Sequence, residues 1–294
     1  MKPNESRVVL TGAGGGIGCA AATELVKAGA SVMLVGRSPA RLATQARALV
    51  RDCNVPRPRV EWYCADLTRV ASLAGIAEVA AGWGCNVVVH GAGVPGFGRI
   101  EALGATDMAQ VLHLNLLVPM LLTQALLGHL RSLPKAQVIF VGSVLGRLGL
   151  PGFSVYSASK FGLRGFAESL RRELGDTRVR VQYLGPRSTR TRFNSGAVET
   201  YNEATGTAMD VPQVAAKALL DLMESGAAER FLGFPEALAV RLNGLAPGLL
   251  DSAFDKHRRS LPPLAQAAPP VLECPDLVGA PGAADIHSLM NSAL

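Results

Sequence analysis

The stretch Val8-Val9-Leu10-Thr11-Gly12-Ala13-Gly14-Gly15-Gly16-Ile17-Gly18 decides the architecture, because an apolar β-branched run passes through a glycine-rich turn into the amphipathic segment Cys19–Ala28. Flexible loops also collect glycine, but a strand before the turn and a helix after it form the context a phosphate cradle needs. Glycines there permit a tight turn and close backbone approach to a pyrophosphate, which would rest on the amides at the helix N-terminus. Gly12, Gly14, Gly15, Gly16, Ile17 and Gly18 are therefore candidate cofactor-binding residues.

Working outward, the alternation repeats along the chain. Apolar β-branched runs begin near Arg7, Ser31, Arg59, Asn86, Gln137, Arg178 and Glu229, with helical-period segments at about 16–29, 38–51, 69–81, 106–133, 154–175 and 211–225. This pattern predicts an α/β fold, a Rossmann-like doubly wound parallel sheet of seven strands with helices on both faces. Residues 1–232 read as a dinucleotide-binding and catalytic domain. Residues 233–260 read as an amphipathic C-terminal extension near the substrate pocket, with Phe234, Leu238, Leu242, Leu245 and Phe254 followed by Lys256, His257, Arg258 and Arg259. Residues 261–294, rich in proline, read as a mobile tail.

A chain of 294 residues, 49% hydrophobic and 18% charged, is long and apolar enough for one large core, which excludes disorder throughout. The balance of 29 Lys+Arg against 23 Asp+Glu suits an anionic partner, whether a phosphorylated cofactor, an acidic carrier protein or anionic lipid, without choosing among them. No nucleic-acid partner is expected, because the charge is scattered and no basic stripe interleaves with aromatics. Cys19, Cys53, Cys64, Cys85 and Cys274 show no CxxC pairing, so neither a disulfide framework nor a metal site is expected. They read as buried or inert thiols in a reducing compartment. The polar N-terminus, Met1 to Arg7, leaves no room for a secretory apolar core. His113, Asn115, Pro119 and Gln124 make the apolar stretch 111–130 a buried helix rather than a membrane span. The expected location is cytoplasmic, with 233–260 offering peripheral contact at a membrane surface.

The second strand ends Leu34-Val35-Gly36-Arg37-Ser38, near the position where an acidic residue would bind a ribose 2′-OH. Arginine there suits a 2′-phosphate, with no carboxylate to repel it, so Arg37 and Ser38 point to NADP(H); the plainer alternative is an arginine solvating a strand end. Farther along, Tyr156 and Lys160 stand at i and i+4 on a strongly helical segment and project from one face. A nearby ammonium favours the phenolate and draws the tyrosine pKa down, making it a usable acid or base. Ser143 follows the strand Gln137–Val141, whose carboxyl end faces the same crevice as the glycine turn.

With these residues in place, the chain resembles the short-chain dehydrogenase/reductase family from about Arg7 to Arg230. The matching elements, in order, are Thr11-Gly12-x-x-x-Gly16-x-Gly18, Asp66 in Ala65-Asp66-Leu67-Thr68, Asn115, Ser143 and Tyr156-x-x-x-Lys160. The resemblance implies that Tyr156 exchanges the alcohol proton and Ser143 hydrogen-bonds the reacting oxygen. It implies that Lys160 holds the nicotinamide ribose and that Asn115 supports a water relaying protons to Lys160. Asp66 and Leu67 would lie against adenine, and Gly91, Ala92 and Gly93 against the cofactor. Two departures stand out: His90-Gly91-Ala92-Gly93 replaces the usual Asn-Asn-Ala-Gly, and Pro186-Arg187 replaces Pro-Gly. His90 reads as a structural substitute for the first asparagine, and Thr189 or Thr191 as the family's nicotinamide contact.

Residues 187–210 form a polar connection where this family builds its substrate lid, and Arg187, Arg190 and Arg192 suggest an anionic group on substrate or cofactor. The expected function is NADP(H)-dependent interconversion of a carbonyl and a secondary alcohol, on a lipophilic ketone or a 3-oxoacyl thioester. A non-catalytic NADP-binding sensor or scaffold is the alternative. The expected assembly is a homo-oligomer, dimer or tetramer.

Overall fold

Period-two alternation along the strands dictates which side chains enter which core. In the computed structural model, which describes residues 1–263, Val8 and Leu10 point into one buried cluster and Val9 into another. The strands are β1 (Arg7–Thr11), β2 (Ser31–Gly36), β3 (Val60–Cys64), β4 (Val87–His90), β5 (Ala136–Val141), β6 (Val179–Gly185) and β7 (Glu229–Phe231). All pair in parallel, in the order β3-β2-β1-β4-β5-β6-β7. Helices α1 (Gly16–Lys27), α2 (Pro39–Asp52) and α8 (Pro212–Ser225) cover one face, burying Leu25, Leu42 and Leu219. Helices α3 (Val70–Gly82), α5 (Val118–Ser132) and α6 (Ser154–Glu173) cover the other, with Ile76, Leu122 and Leu163 buried. Both faces being covered explains the nearly unbroken apolar strands, and the expected doubly wound sheet is what the chain forms.

Strand order reverses between β1 and β4, which opens a crevice at their carboxyl ends. The glycine turn after β1 and the residues after β4 and β5 meet there.

The single helix expected at 106–133 is instead α4 (Ala105–Leu112), a π-helical turn His113–Leu117, and α5. Pro119 supplies the reason: it has no N–H for the carbonyl four residues earlier, Asn115, and its ring crowds that carbonyl, so the helix widens. By length and composition alone the run Ala105–Ser132 is apolar enough to cross a membrane. Here Val118, Leu122, Leu126 and Leu130 are buried in the core shared with the sheet, as expected of a core helix.

The connection 187–210 also holds a helix, α7 (Gly196–Thr205), capped by the Ser195 hydroxyl, which accepts from Val198 N–H at 3.4 Å, and closed by Gly206 at φ +75°. Beyond β7 come α9 (Glu236–Leu245), a 3-10 stretch Pro247–Phe254 and α10 (Asp255–Arg259); Pro247 ends α9, as its position requires. On its inner side Val240 is fully buried beside Val144 and Leu148, which follow β5, with Leu250 and Phe254 alongside. Most of the expected mobile tail, with Cys274, lies outside the described residues. Of the thiols expected to be buried or inert, Cys85 is buried, whereas Cys19 and Cys64 stand exposed at the open carboxyl edge of the sheet.

Candidate active site

The glycine turn is shaped by close backbone contact. Gly12 sits at φ +69°, and a Cβ there would lie 2.6 Å from the Ala92 nitrogen and the Gly91 carbonyl, so only glycine lets the β1 and β4 ends meet. Thr11 ties the same ends together: its hydroxyl donates to Val89 O at 3.3 Å and accepts from Gly91 N at 3.1 Å and Ala92 N at 3.3 Å. The Gly12 carbonyl occupies the space a side chain on Gly18 would need. Gly15 caps α1 with no side-chain hydrogen bond, leaving first-turn amides without side-chain partners, and a Cβ on Gly14 would project into open space. Bare amides beside open space are what a pyrophosphate requires, so the turn fits the diphosphate of a dinucleotide.

Beyond β2, Arg37 is exposed and the Ser38 hydroxyl accepts from Arg41 N at 3.4 Å, which sets the first turn of α2. Asp66 accepts from the Thr68 amide at 3.0 Å and the Thr68 hydroxyl at 2.8 Å. These bonds, helped by the Arg37 and Arg69 charges, hold its carboxyl below the usual range. Leu67 is buried beside it. Arg41, in the first turn of α2 just beyond Arg37's strand end, was not singled out from the sequence; its charge reaches Cys19 in α1. The Ser38-Pro39 helix start was the available signal.

Across the crevice, Asn115 is fully buried on the π-helical turn. Its Oδ1 accepts from Val94 N at 2.8 Å, and its Nδ2 donates to Val94 O at 3.0 Å and to the Ser159 hydroxyl at 3.3 Å. Both side-chain N–H groups are thus spent on protein, and any water that Asn115 holds must use an acceptor. Its backbone carbonyl, which Pro119 cannot serve, is one. A Cβ on Gly93 would lie 3.0 Å from Asn115 Oδ1 and 3.8 Å from Lys160 Nζ, so Gly93 floors this corner.

Ser143 follows β5, where its hydroxyl accepts from Leu145 N at 3.1 Å and faces the Tyr156 phenol, favouring the ionised form of that phenol. Lys160 Nζ lies 5.6 Å from the Tyr156 ring centre and donates to Val141 O at 3.3 Å. Asn115, Ser143, Tyr156 and Lys160 therefore converge. The expected lowering of the Tyr156 pKa is not what dominates: burial pushes it up, and burial pushes Lys160 down to about 8. Near neutrality Tyr156 is held as the proton-bearing phenol, the form that can give a proton to an alkoxide.

His90 takes the structural role expected of it. Its Nε2 lies 2.9 Å from the Thr123 hydroxyl on α5, its ring stacks on Phe140 at 4.9 Å, and burial pushes its pKa down to about 3. It is neutral and packed away from the crevice's proton-transfer groups.

After β6, Pro186 is buried, and the two threonines separate. The Thr189 hydroxyl donates to Arg187 O at 3.0 Å, whereas the Thr191 methyl lies against Gly16 in the glycine turn. Arg187 is not free for an anionic ligand: it pairs with Asp210 at 2.7 Å and Glu236 at 3.5 Å, tying the lid to α9. Arg190 and Arg192 remain exposed.

The substrate side carries aromatics that sequence spacing did not reveal. Phe97, Phe153 and Tyr201 stand 4.8 to 5.8 Å apart, and Phe193 meets the Tyr156 ring at 5.9 Å. The extension closes on the same edge. His257 lies 5.9 Å from Tyr201, Leu261 faces Gly152 and Phe97, and Pro262 O accepts from Arg99 at 2.8 Å.

A parallel sheet whose switch point sets a glycine turn against a Ser-Tyr-Lys-Asn cluster defines a Rossmann-type oxidoreductase site. The chain belongs to the short chain dehydrogenase family, which it matches over residues 6–202. Dehydrogenase/reductase SDR family member 7B of Mus musculus is 27% identical over 267 residues, 86% of this chain and 82% of that protein. The 3-dehydrosphinganine reductase of Danio rerio is 30% identical over 196 residues, 65% of this chain, and the match spans 58% of that relative's length. A short-chain dehydrogenase from Burkholderia cenocepacia, solved in complex with NADP, superimposes with TM-score 0.72 at 23% identity, covering 87% of this chain and 99% of that one, a likeness of fold.

Proposed function

We propose that this protein is an NADP(H)-dependent reductase of a lipophilic ketone or 3-oxoacyl thioester, working reversibly on the secondary alcohol. The observation that carries the reading is the convergence of Ser143, Tyr156, Lys160 and Asn115 opposite an uncapped glycine turn. NADPH, when bound, supplies the hydride. Gly12, Gly14, Gly15, Gly16, Ile17 and Gly18 would hold its diphosphate, Asp66 and Leu67 its adenine, and Gly91, Ala92, Gly93 and Pro186 the adjoining wall. Arg37, Ser38 and the neighbouring Arg41 would hold the 2′-phosphate, through charge-assisted hydrogen bonds. Thr191, which touches the glycine turn, is the better placed of the two threonines for the nicotinamide side.

Ser143 donates a hydrogen bond to the reacting oxygen, and Tyr156 delivers its phenolic proton as the oxygen becomes an alkoxide. Lys160, fixed under Tyr156, orients the ribose and steadies the phenolate left behind. Asn115 locks Val94 and Ser159 around Lys160. Phe97, Phe153, Phe193 and Tyr201 supply apolar surface for a lipophilic substrate, in keeping with the sphingoid-base name of one relative.

The test is NADPH consumption with 2-alkanones of rising chain length, aryl ketones and a 3-oxoacyl thioester, run beside NADPH titration. Binding without turnover on every carbonyl class would favour the alternative, a non-catalytic NADP sensor or scaffold. A second reading concerns location: Phe234, just before α9, and Leu238, Leu242 and Leu245 along it stay 46 to 85% exposed, a stripe suited to peripheral contact with a lipid surface. A homo-oligomer is also proposed, on the exposure of Leu112, Leu117 and Phe161 on adjoining helices; sedimentation decides it.

A further inference from the structure

The backbone that carries Ser143 is held mostly from β6. Gly142 N donates to Leu184 O at 2.7 Å and Val144 N donates to Pro186 O at 2.9 Å. Between those two bonds, strand alternation turns the amide and carbonyl of Ser143 itself away from β6, which offers them no main-chain partner. Tyr183 fills that gap. Its ring is almost completely buried, and its hydroxyl accepts from Ser143 N–H at 3.0 Å and donates to Ser143 C=O at 3.0 Å. The carbonyl has a second donor in Gly146 N at 3.0 Å.

Room for the phenol has been cleared at two further positions. A Cβ on Gly142 would fall into the Tyr183 ring. One on Gly146 would meet the Tyr183 hydroxyl and lie 2.8 Å from the Lys160 carbonyl. Tyr183, Gly142 and Gly146 are thus fitted to one another beneath the turn that aims the Ser143 hydroxyl at Tyr156.

We propose that Tyr183 is a positioning residue for the reduction: it fixes the backbone of Ser143 and so sets the hydrogen bond by which Ser143 acts on Tyr156 and the reacting oxygen. This rests on the roles given above to Ser143 and Tyr156. The titratable and charged groups around the two phenols are Lys160 and Arg164 from α6 and Glu229 from β7, and Tyr156 adds to the burial that opposes ionisation of Tyr183. Loss of the Ser143 hydrogen bond removes an influence that eases Tyr156 ionisation.

The test is Tyr183→Phe, which keeps the ring between the two glycines and removes only the hydroxyl. With a medium-chain 2-alkanone and its alcohol as probes, kcat should fall by about tenfold or more, as for loss of an aligned hydrogen bond, with NADPH affinity nearly unchanged. The acid limb of the kcat profile for alcohol oxidation, where Tyr156 must be ionised to accept the proton, should move to higher pH, which mere loss of folded protein would not do. In a Ser143→Ala background the same substitution should cost almost nothing further. Equal losses in both backgrounds with an unmoved limb would overturn the proposal, and so would a crystal structure of the Phe variant with Ser143 undisplaced, whatever the probe. Full turnover in Tyr156→Phe would instead sink the catalytic assignment beneath it.

Discussion

Lys160→Met should make the ligand-free protein more stable while abolishing turnover. Lys160 is buried, and burial lowers its pKa from 10.5 to about 8. That difference corresponds to roughly 3 kcal/mol against the charged form at neutral pH. Replacing it by Met also orphans Val141 O, the acceptor 3.3 Å away, at a cost of about 1 kcal/mol. The net gain is about 2 kcal/mol at pH 7, or roughly 4 to 8 °C in Tm for a domain of this size. The sign with pH follows from linkage. Below about pH 8 the wild type bears the full penalty, because both folded and unfolded states are protonated. Between about 8 and the unfolded value of 10.5 the unfolded state binds more protons, so wild-type stability rises with pH while the Met variant lacks that rise. Thermal denaturation of both apo proteins across this range should therefore show the variant's advantage shrinking and then reversing. A variant no more stable than wild type at pH 7, or a difference that does not change with pH, would refute the reasoning.

The features readable in the sequence were those with local or strictly periodic signals. Val8 to Gly18 combines strand period, turn chemistry and helix start in one stretch, and Tyr156 with Lys160 shares a helix face, so neither needed tertiary information. The π-helical turn depended on a single residue, Pro119, acting four positions back. Helix α7 has cap signals in Ser195 and Gly206, but only Val198, Tyr201 and Asn202 are buried along it, too few for a visible apolar period. Arg187 looked like an anion ligand because its partners, Asp210 and Glu236, are 23 and 49 residues away. Nothing local in the sequence marks Tyr183, since its meaning lies in a contact with the Ser143 backbone 40 residues away. Depth of burial, which sets the Tyr156 and Lys160 pKa directions, is a property of the assembled fold alone.

Tyr156→Phe should lower kcat by at least about 10²-fold with NADPH binding retained, measured by steady-state kinetics beside cofactor titration. Arg37→Ala should weaken NADPH about tenfold or more and leave NADH nearly unchanged, since only the former has a 2′-phosphate to lose; wild-type protein that binds both equally removes the basis of that expectation. The two faces of α9 should separate in experiment. Val240 is fully buried on the Val144 and Leu148 side chains that follow Ser143, so Val240→Ala should cost about 1 to 3 kcal/mol and lower Tm. Phe234, Leu238, Leu242 and Leu245 face outward, so replacing all four by serine should leave Tm and turnover of a short 2-alkanone intact. If that stripe lies on lipid, the fourfold variant should lose co-sedimentation with phosphatidylserine-containing vesicles, because Arg241 on the same helix adds attraction to an anionic surface. A wild-type protein that never sediments with such vesicles, at low as at physiological salt, leaves α9 with only its inner role: bracing the turn from which Ser143 reaches the substrate.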